Sequence, residues 1–160
     1  MGRFFIVIIG IVAAGLAMLF IAPLAGCGEK ASTMEDLNST GVTLRNGTTL
    51  VCETMRADID LTRGLMFRDS LPPGHGMLFF YPANAKHQHW TYQNKFPIDT
   101  IWMDGDHTVV EIVADMQPCT AKAAGECELY GGKQPSHYSL EVPAGFAAKN
   151  GVKVGDKLDF

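Results

Sequence analysis

"IDTIWMDGDHTVVEIVADM", residues 98–116, decides the fold. Two runs rich in β-branched and aromatic residues flank Asp104-Gly105, the pattern of an antiparallel hairpin. The same signals recur on either side. "VTLRNGTTLVCETM" reads as two strands joined at Asn46-Gly47, a dipeptide that tolerates the positive φ of a tight turn. "MLFFY" reads as a buried strand, residues 87–93 as another, "SHYSLEV" as a third and "KVGDKLDF" as a closing strand. Helix is sparse. "DIDLTRGLMFR" predicts a short one, with Asp58 as cap and Ile59, Leu65 and Met66 on its apolar face; "LPPGHG" ends it. "AGFAAKNG" predicts one or two helical turns stopping at Gly151, and residues 117–134 read as loop. Many strands without βαβ alternation predict a mainly β fold: a compact antiparallel barrel-like or sandwich domain with one or two short helices.

The beginning of the 160-residue chain has a different character. "MGRFFIVIIGIVAAGLAMLFIAPLAG" carries no charge after Arg3, and Phe4 to Ala25 is almost wholly apolar. That length suits either a membrane-spanning helix or a long secretory signal. The tetrapeptide Leu24-Ala25-Gly26-Cys27 resembles the lipobox of bacterial lipoproteins. The resemblance implies cleavage before Cys27 and acylation of its thiol, which then serves as the membrane anchor; several acyl chains hold a protein stably where one does not. Residues 1–26 are accordingly assigned as signal peptide, 27–41 as a polar flexible tether and 42–160 as the β domain. Arg3 favours a cytoplasmic start, so the rest is expected to be exported and anchored to the cell membrane or outer membrane, facing the periplasm or exterior. Gly28 after the lipidated cysteine favours outer-membrane sorting, by the same resemblance. The whole chain has a formal net charge of −4 and no basic stripe, which argues against nucleic acid as a partner.

Three cysteines remain. Cys119 and Cys127 in "PCTAKAAGEC" sit eight apart in a turn-rich segment, where an oxidising compartment favours a disulfide. Metal thiolates are the rival, but no second cysteine pair completes a zinc site. Cys52, in the alternating run "TTLVCETM", is left as a buried free thiol.

"RGLMFR" followed by "GMLFFY", then "HWTYQNKFPIDTIWMD", "YGGKQPSHYSLEVPAG" and "GVKVGDKL" resemble, in order, the motifs of the domain of unknown function 192 family. The likeness spans residues 42–160 and implies a compact, mainly β, usually exported domain with no established reaction. Two departures stand out. The family has M-K-N-T where this chain has Thr91, Tyr92, Gln93 and Asn94, and an aromatic residue where His89 stands.

The chemical candidates follow from strand periodicity and from the resemblance. Alternation on a strand places His87, His89, Thr91 and Gln93 on one face, and two such histidines hold a metal only if His75, His107 or His137 supplies a third ligand. Trp90 reads as core or as a platform for a ligand. Asp99, among strand formers, needs donors or solvent. The resemblance implies Arg63 or Arg68 as its partner, in a structural ion pair or in a polar pocket of Arg63, Arg68, Asp99, Tyr130 and Glu141 that takes a small polar or anionic ligand. No nucleophile elbow, metalloprotease helix, phosphate loop or dinucleotide fingerprint occurs, so neither a catalytic set nor a cofactor is assigned. The leading expectation is a monomeric, lipid-anchored module binding a small ligand or an envelope protein. The alternatives are a small exported hydrolase using Asp99 and Glu141, and a metal-handling lipoprotein using His87 and His89.

Overall fold

The computed structural model describes residues 38–160. Residues 1–26, the lipobox cysteine Cys27 and most of the segment read as tether lie outside them. The strands are β1 (Ser39–Thr43), β2 (Thr49–Met55), β3 (His75–Ala85), β4 (Gln88–His89), β5 (Ile98–Met103), β6 (Val109–Met116), β7 (Tyr130–Gly131) and β8 (Ser136–Pro143). Two short helices join them, α1 (Asp58–Arg63) and α2 (Phe146–Lys149). The fold is mainly β, as expected. Its first strand begins at Ser39, inside the span assigned to the tether.

Six strands form one sheet in the order β1-β2-β3-β8-β5-β6, and β4 pairs with β7 in a separate ribbon. The sheet is mixed rather than purely antiparallel, because β2 and β3 run parallel. A parallel pair needs a crossover, and residues 56–74, carrying α1, supply it. The sheet does not close as a barrel of strands. Instead the C-terminal tail, expected as a strand, makes isolated bridges to Thr43 and Thr108. Thr43 and Asp159 exchange both backbone bonds, and Leu158 N donates to the His107 carbonyl, so the tail ties both sheet edges at one end.

Local expectations fared unevenly. Ala57, not Asp58, occupies the N-cap of α1, and Ile59 is 71% exposed, so only Leu65 of the proposed apolar face is fully buried. The predicted strand over residues 87–93 shrinks to Gln88–His89. Gln93 adopts a positive φ of 57°, which breaks the alternation, and the Asn94 amide turns back onto the Thr91 carbonyl.

Each side of the sheet has its own core. Leu78, Ile101, Leu140 and Val142 belong to one, with Cys52 and Ala147. Met77, Phe79, Ile98 and Trp102 belong to the other, beneath β7. Gly131 of β7 has a φ of 76°, and a Cβ there would overlap the Trp102 ring. Asp99 faces the first core and is fully buried. Its carboxylate accepts backbone N–H groups of Asp115 at 2.9 Å, Gly145 at 3.1 Å and Ala147 at 2.9 Å, which pins the start of α2 to β5 and β6. No arginine takes part, so the expected pairing with Arg63 or Arg68 is corrected: backbone donors satisfy this acid. Asp99→Ala leaves those donors without an acceptor in a dry site and should cost about 3 kcal/mol in urea denaturation; a loss below about 1 kcal/mol would show that the contact does not hold α2.

Cys119 and Cys127 are joined as a disulfide, and the Cys52 thiol is free and buried. Among the described residues no helix is long and apolar enough to cross a membrane. Burial pushes the Cys52 thiol from 9.0 up to about 12, only partly offset by a hydrogen bond involving Gly76. Because the folded value lies above the unfolded one, the stability this thiol contributes is intact below pH 9.0 and drains away as pH rises toward about 12. Iodoacetamide at pH 8 should therefore leave Cys52 unmodified in the folded protein and label it after denaturation, read by peptide mass spectrometry. The non-reduced digest should carry the Cys119–Cys127 link.

Candidate functional site

On the face of the sheet covered by β4 and β7, two strands contribute residues two apart. β3 presents Phe79 and Tyr81; β8 presents Ser139 and Glu141. Register sets Ser139 between Phe79 and Trp102, and Glu141 between Met77 and Thr100. Both β8 side chains are buried, with Glu141 only 3% exposed. A carboxyl in such a position needs donors.

His89 of β4 supplies one. Its ring meets Phe79 and Trp102 edge-to-face, at centroid distances of 5.0 and 5.4 Å. Nδ1 lies 2.7 Å from Glu141 Oε1. Nε2 lies 2.9 Å from Ser139 Oγ and also bonds the Tyr81 hydroxyl, which is itself 2.7 Å from Ser139 Oγ. With Glu141 accepting, the Nδ1 hydrogen faces it and Nε2 faces the two hydroxyls. The second carboxyl oxygen, Glu141 Oε2, has no partner among the described residues.

Glu141 lines a cavity of about 340 Å³ between the end of α1 and β4, with Oε2 itself buried. Arg63, Trp90, Phe79, Tyr81 and His89 line it, with Leu61 and Leu129 among the apolar remainder. Gly64, at φ 44°, brings the backbone over this floor: a Cβ there would lie 3.2 Å from the Phe79 ring and 3.8 Å from Oε2. Arg63 is exposed, and its guanidinium has neither a hydrogen bond nor an ion pair among the described residues.

The Glu141–His89–Ser139 row has the connectivity of a hydrolytic triad but not its access. Ser139 is fully buried and does not line the cavity. The hydroxyl that does line it is Tyr81, and burial, aided by the nearby Glu141 charge, drives its pKa well above the ordinary phenol value despite the bond to Ser139. A sealed serine and a tightly held phenol proton do not amount to an activated nucleophile.

The expected constellation is thus partly assembled. Arg63, Trp90 and Glu141 share the cavity. Arg68 does not join them, because its guanidinium forks onto Glu53, with Nη2 2.7 Å from Oε2, at a neighbouring groove. Asp99 lies on the opposite face, which removes the Asp99–Glu141 acid pair: Glu141 is in register with Thr100 and Asp99 with Val142, one residue out of phase. Tyr130 pairs across from His89 and packs on the core without lining the cavity. His87 stacks on Tyr81 at 3.7 Å and bonds the Ala83 carbonyl, so the two histidines do not converge. Among the described residues no group of three histidine, cysteine or acidic side chains is arranged to hold a metal. Sequence reasoning passed over Tyr81, Phe79 and Ser139; the signal was their spacing, each two residues from another site position on one strand.

The comparisons agree with this architecture. A UPF0127 protein of Pyrococcus abyssi is 29% identical over 100 residues, covering 61% of this chain and 74% of that protein. A solved structure from Novosphingobium aromaticivorans, described as a protein of unknown function, superposes with a TM-score of 0.67 at 28% identity, covering 76% of this chain and 85% of that one. Another from Sinorhizobium meliloti, described as a candidate transcription regulator, gives a TM-score of 0.64 at 27% identity over 74% and 89% of the respective chains. The model of the DUF192 family, described as "Uncharacterized ACR", matches residues 41–160, and the chain belongs to that family.

Proposed function

We propose that this protein is an exported, membrane-anchored lipoprotein whose β domain binds a small polar ligand in the cavity above Glu141. One observation carries the binding reading: Glu141, 3% exposed, lines a cavity, and its buried Oε2 has no donor among the described residues. Leaving such an atom unpaired costs roughly 1–3 kcal/mol, a cost that a ligand's N–H or O–H offsets on entry. Cavities of this size with mainly apolar walls and a few convergent polar atoms are the usual form of small-molecule sites. Export is supported by the Cys119–Cys127 disulfide, a bond of oxidising compartments. Anchoring rests on Cys27 in the lipobox-like Leu24-Ala25-Gly26-Cys27.

A library of polar metabolites screened by thermal shift tests the binding. A ligand present at about 100 times its Kd should add ~2.7 kcal/mol of stability. Glu141→Gln should stay folded and lose that protection. A library that protects neither protein would count against the cavity as a ligand site and favour an envelope protein as the partner. For the anchor, Cys27→Ala should move the protein from the membrane fraction to the soluble one.

A further inference from the structure

Resting on the binding reading just given, we infer that the ligand is a zwitterion of amino-acid type, seated with its ammonium on Glu141 and its carboxylate toward Arg63. The cavity has a polarity from floor to mouth. At the inner end is Glu141, whose buried Oε2 has no partner among the described residues and whose other oxygen is already taken by His89. At the mouth stands Arg63, exposed and with its guanidinium unpaired among the described residues, on the last turn of α1. The rest of the lining is more apolar than polar: Leu61, Phe79 and Trp90 contribute apolar and aromatic surface, beside the polar Thr62, Gln88 and Asn94.

Ligand classes separate on this order of charge. An anion entering alone finds Arg63 but brings no donor to the floor, and like charges at Glu141 oppose it. A simple cation satisfies the floor while leaving the guanidinium unpaired and repelled at the entrance. A neutral polyol donates to Oε2 and gains no charge-assisted bond from Arg63. A zwitterion satisfies both ends. Its ammonium offers donors to Oε2 and a positive charge to the aromatic rings beside it. The Phe79 ring and Oε2 are close together there, each within 4 Å of the point where a Gly64 side chain would begin, at 3.2 and 3.8 Å. Its carboxylate fits the planar fork of Arg63. The apolar walls favour an apolar side chain, so leucine, methionine and phenylalanine are the committed probes.

Calorimetric titration of the full-length protein with L-leucine, L-methionine and L-phenylalanine should find at least one that binds. Its methyl ester, which lacks the carboxylate, and its N-acetyl derivative, which lacks the ammonium, should each bind about 10-fold more weakly or worse. Arg63→Ala is an exposed substitution that should leave folding intact, lower affinity for the free amino acid to that of the ester, and leave ester binding unchanged. Glu141→Gln should abolish the preference for the free ammonium over the N-acetyl form. No binding by any of the three, or equal affinity for a free amino acid and both derivatives, would overturn the zwitterion assignment. The cavity reading would survive that failure if another member of the polar library still protects the protein through Glu141, and would fall with it if none does.

Discussion

Strand β8 is buried on both faces, and this constraint shapes the rest of the molecule. It lies between β3 and β5 near the middle of the sheet, so successive side chains serve two separate cores. Leu140 and Val142 pack into one, whereas Ser139 and Glu141 point into the other. Period-two alternation usually sets a polar face toward water. Here that polar face is roofed by the β4–β7 ribbon, so a carboxyl and a hydroxyl that a surface strand would leave hydrated must be satisfied by protein.

His89 meets that demand incompletely. One ring nitrogen engages Glu141 and the other engages Ser139 and Tyr81, which turns four polar side chains into one connected network. Buried networks are favourable when every member is paired and costly when one is not. Glu141 Oε2 is the exception among the described residues, and Glu141 lines the cavity together with His89 and Tyr81. Asp99 provides the contrast: three backbone donors satisfy it on the opposite face, no cavity adjoins it in the lining of the site, and it holds a helix in place. The two acids differ in neighbours rather than in chemistry, and that difference separates a structural carboxylate from a receptive one.

What could be read from the chain was local. The hairpins at Asn46-Gly47 and around Asp104-Gly105 follow from turn chemistry and adjacent strand formers, and the pairing of Cys119 with Cys127 follows from proximity in a loop. Of the residues singled out from the chain, Arg63, Trp90 and Glu141 line one cavity. The failures are relational. Arg68 pairs with Glu53, which lies on a strand brought alongside only by the sheet's order. The relation of Asp99 to Glu141 depends on a register of one residue, invisible until β5 and β8 are aligned. The strand expected over residues 87–93 already ends at His89, and Gln93 beyond it takes a positive φ that no propensity scale anticipates for a glutamine.

The parallel pair β2–β3, itself unforeseen, explains why the cavity lies where it does. Antiparallel neighbours need only a turn, but parallel ones need a chain segment that crosses back over the sheet. That segment carries α1 and ends its first turn of business at Arg63 and Gly64, directly over the face that Glu141 shares with Phe79. Gly64 adopts a positive φ and leaves the space of a side chain empty above the carboxyl, while Arg63 beside it faces outward unpaired. A purely antiparallel arrangement of these strands would dispense with the crossover, and with it the wall that converts an unsatisfied acid into an enclosed site. The irregular connection therefore supplies the wall of the cavity, and the regular sheet supplies its floor.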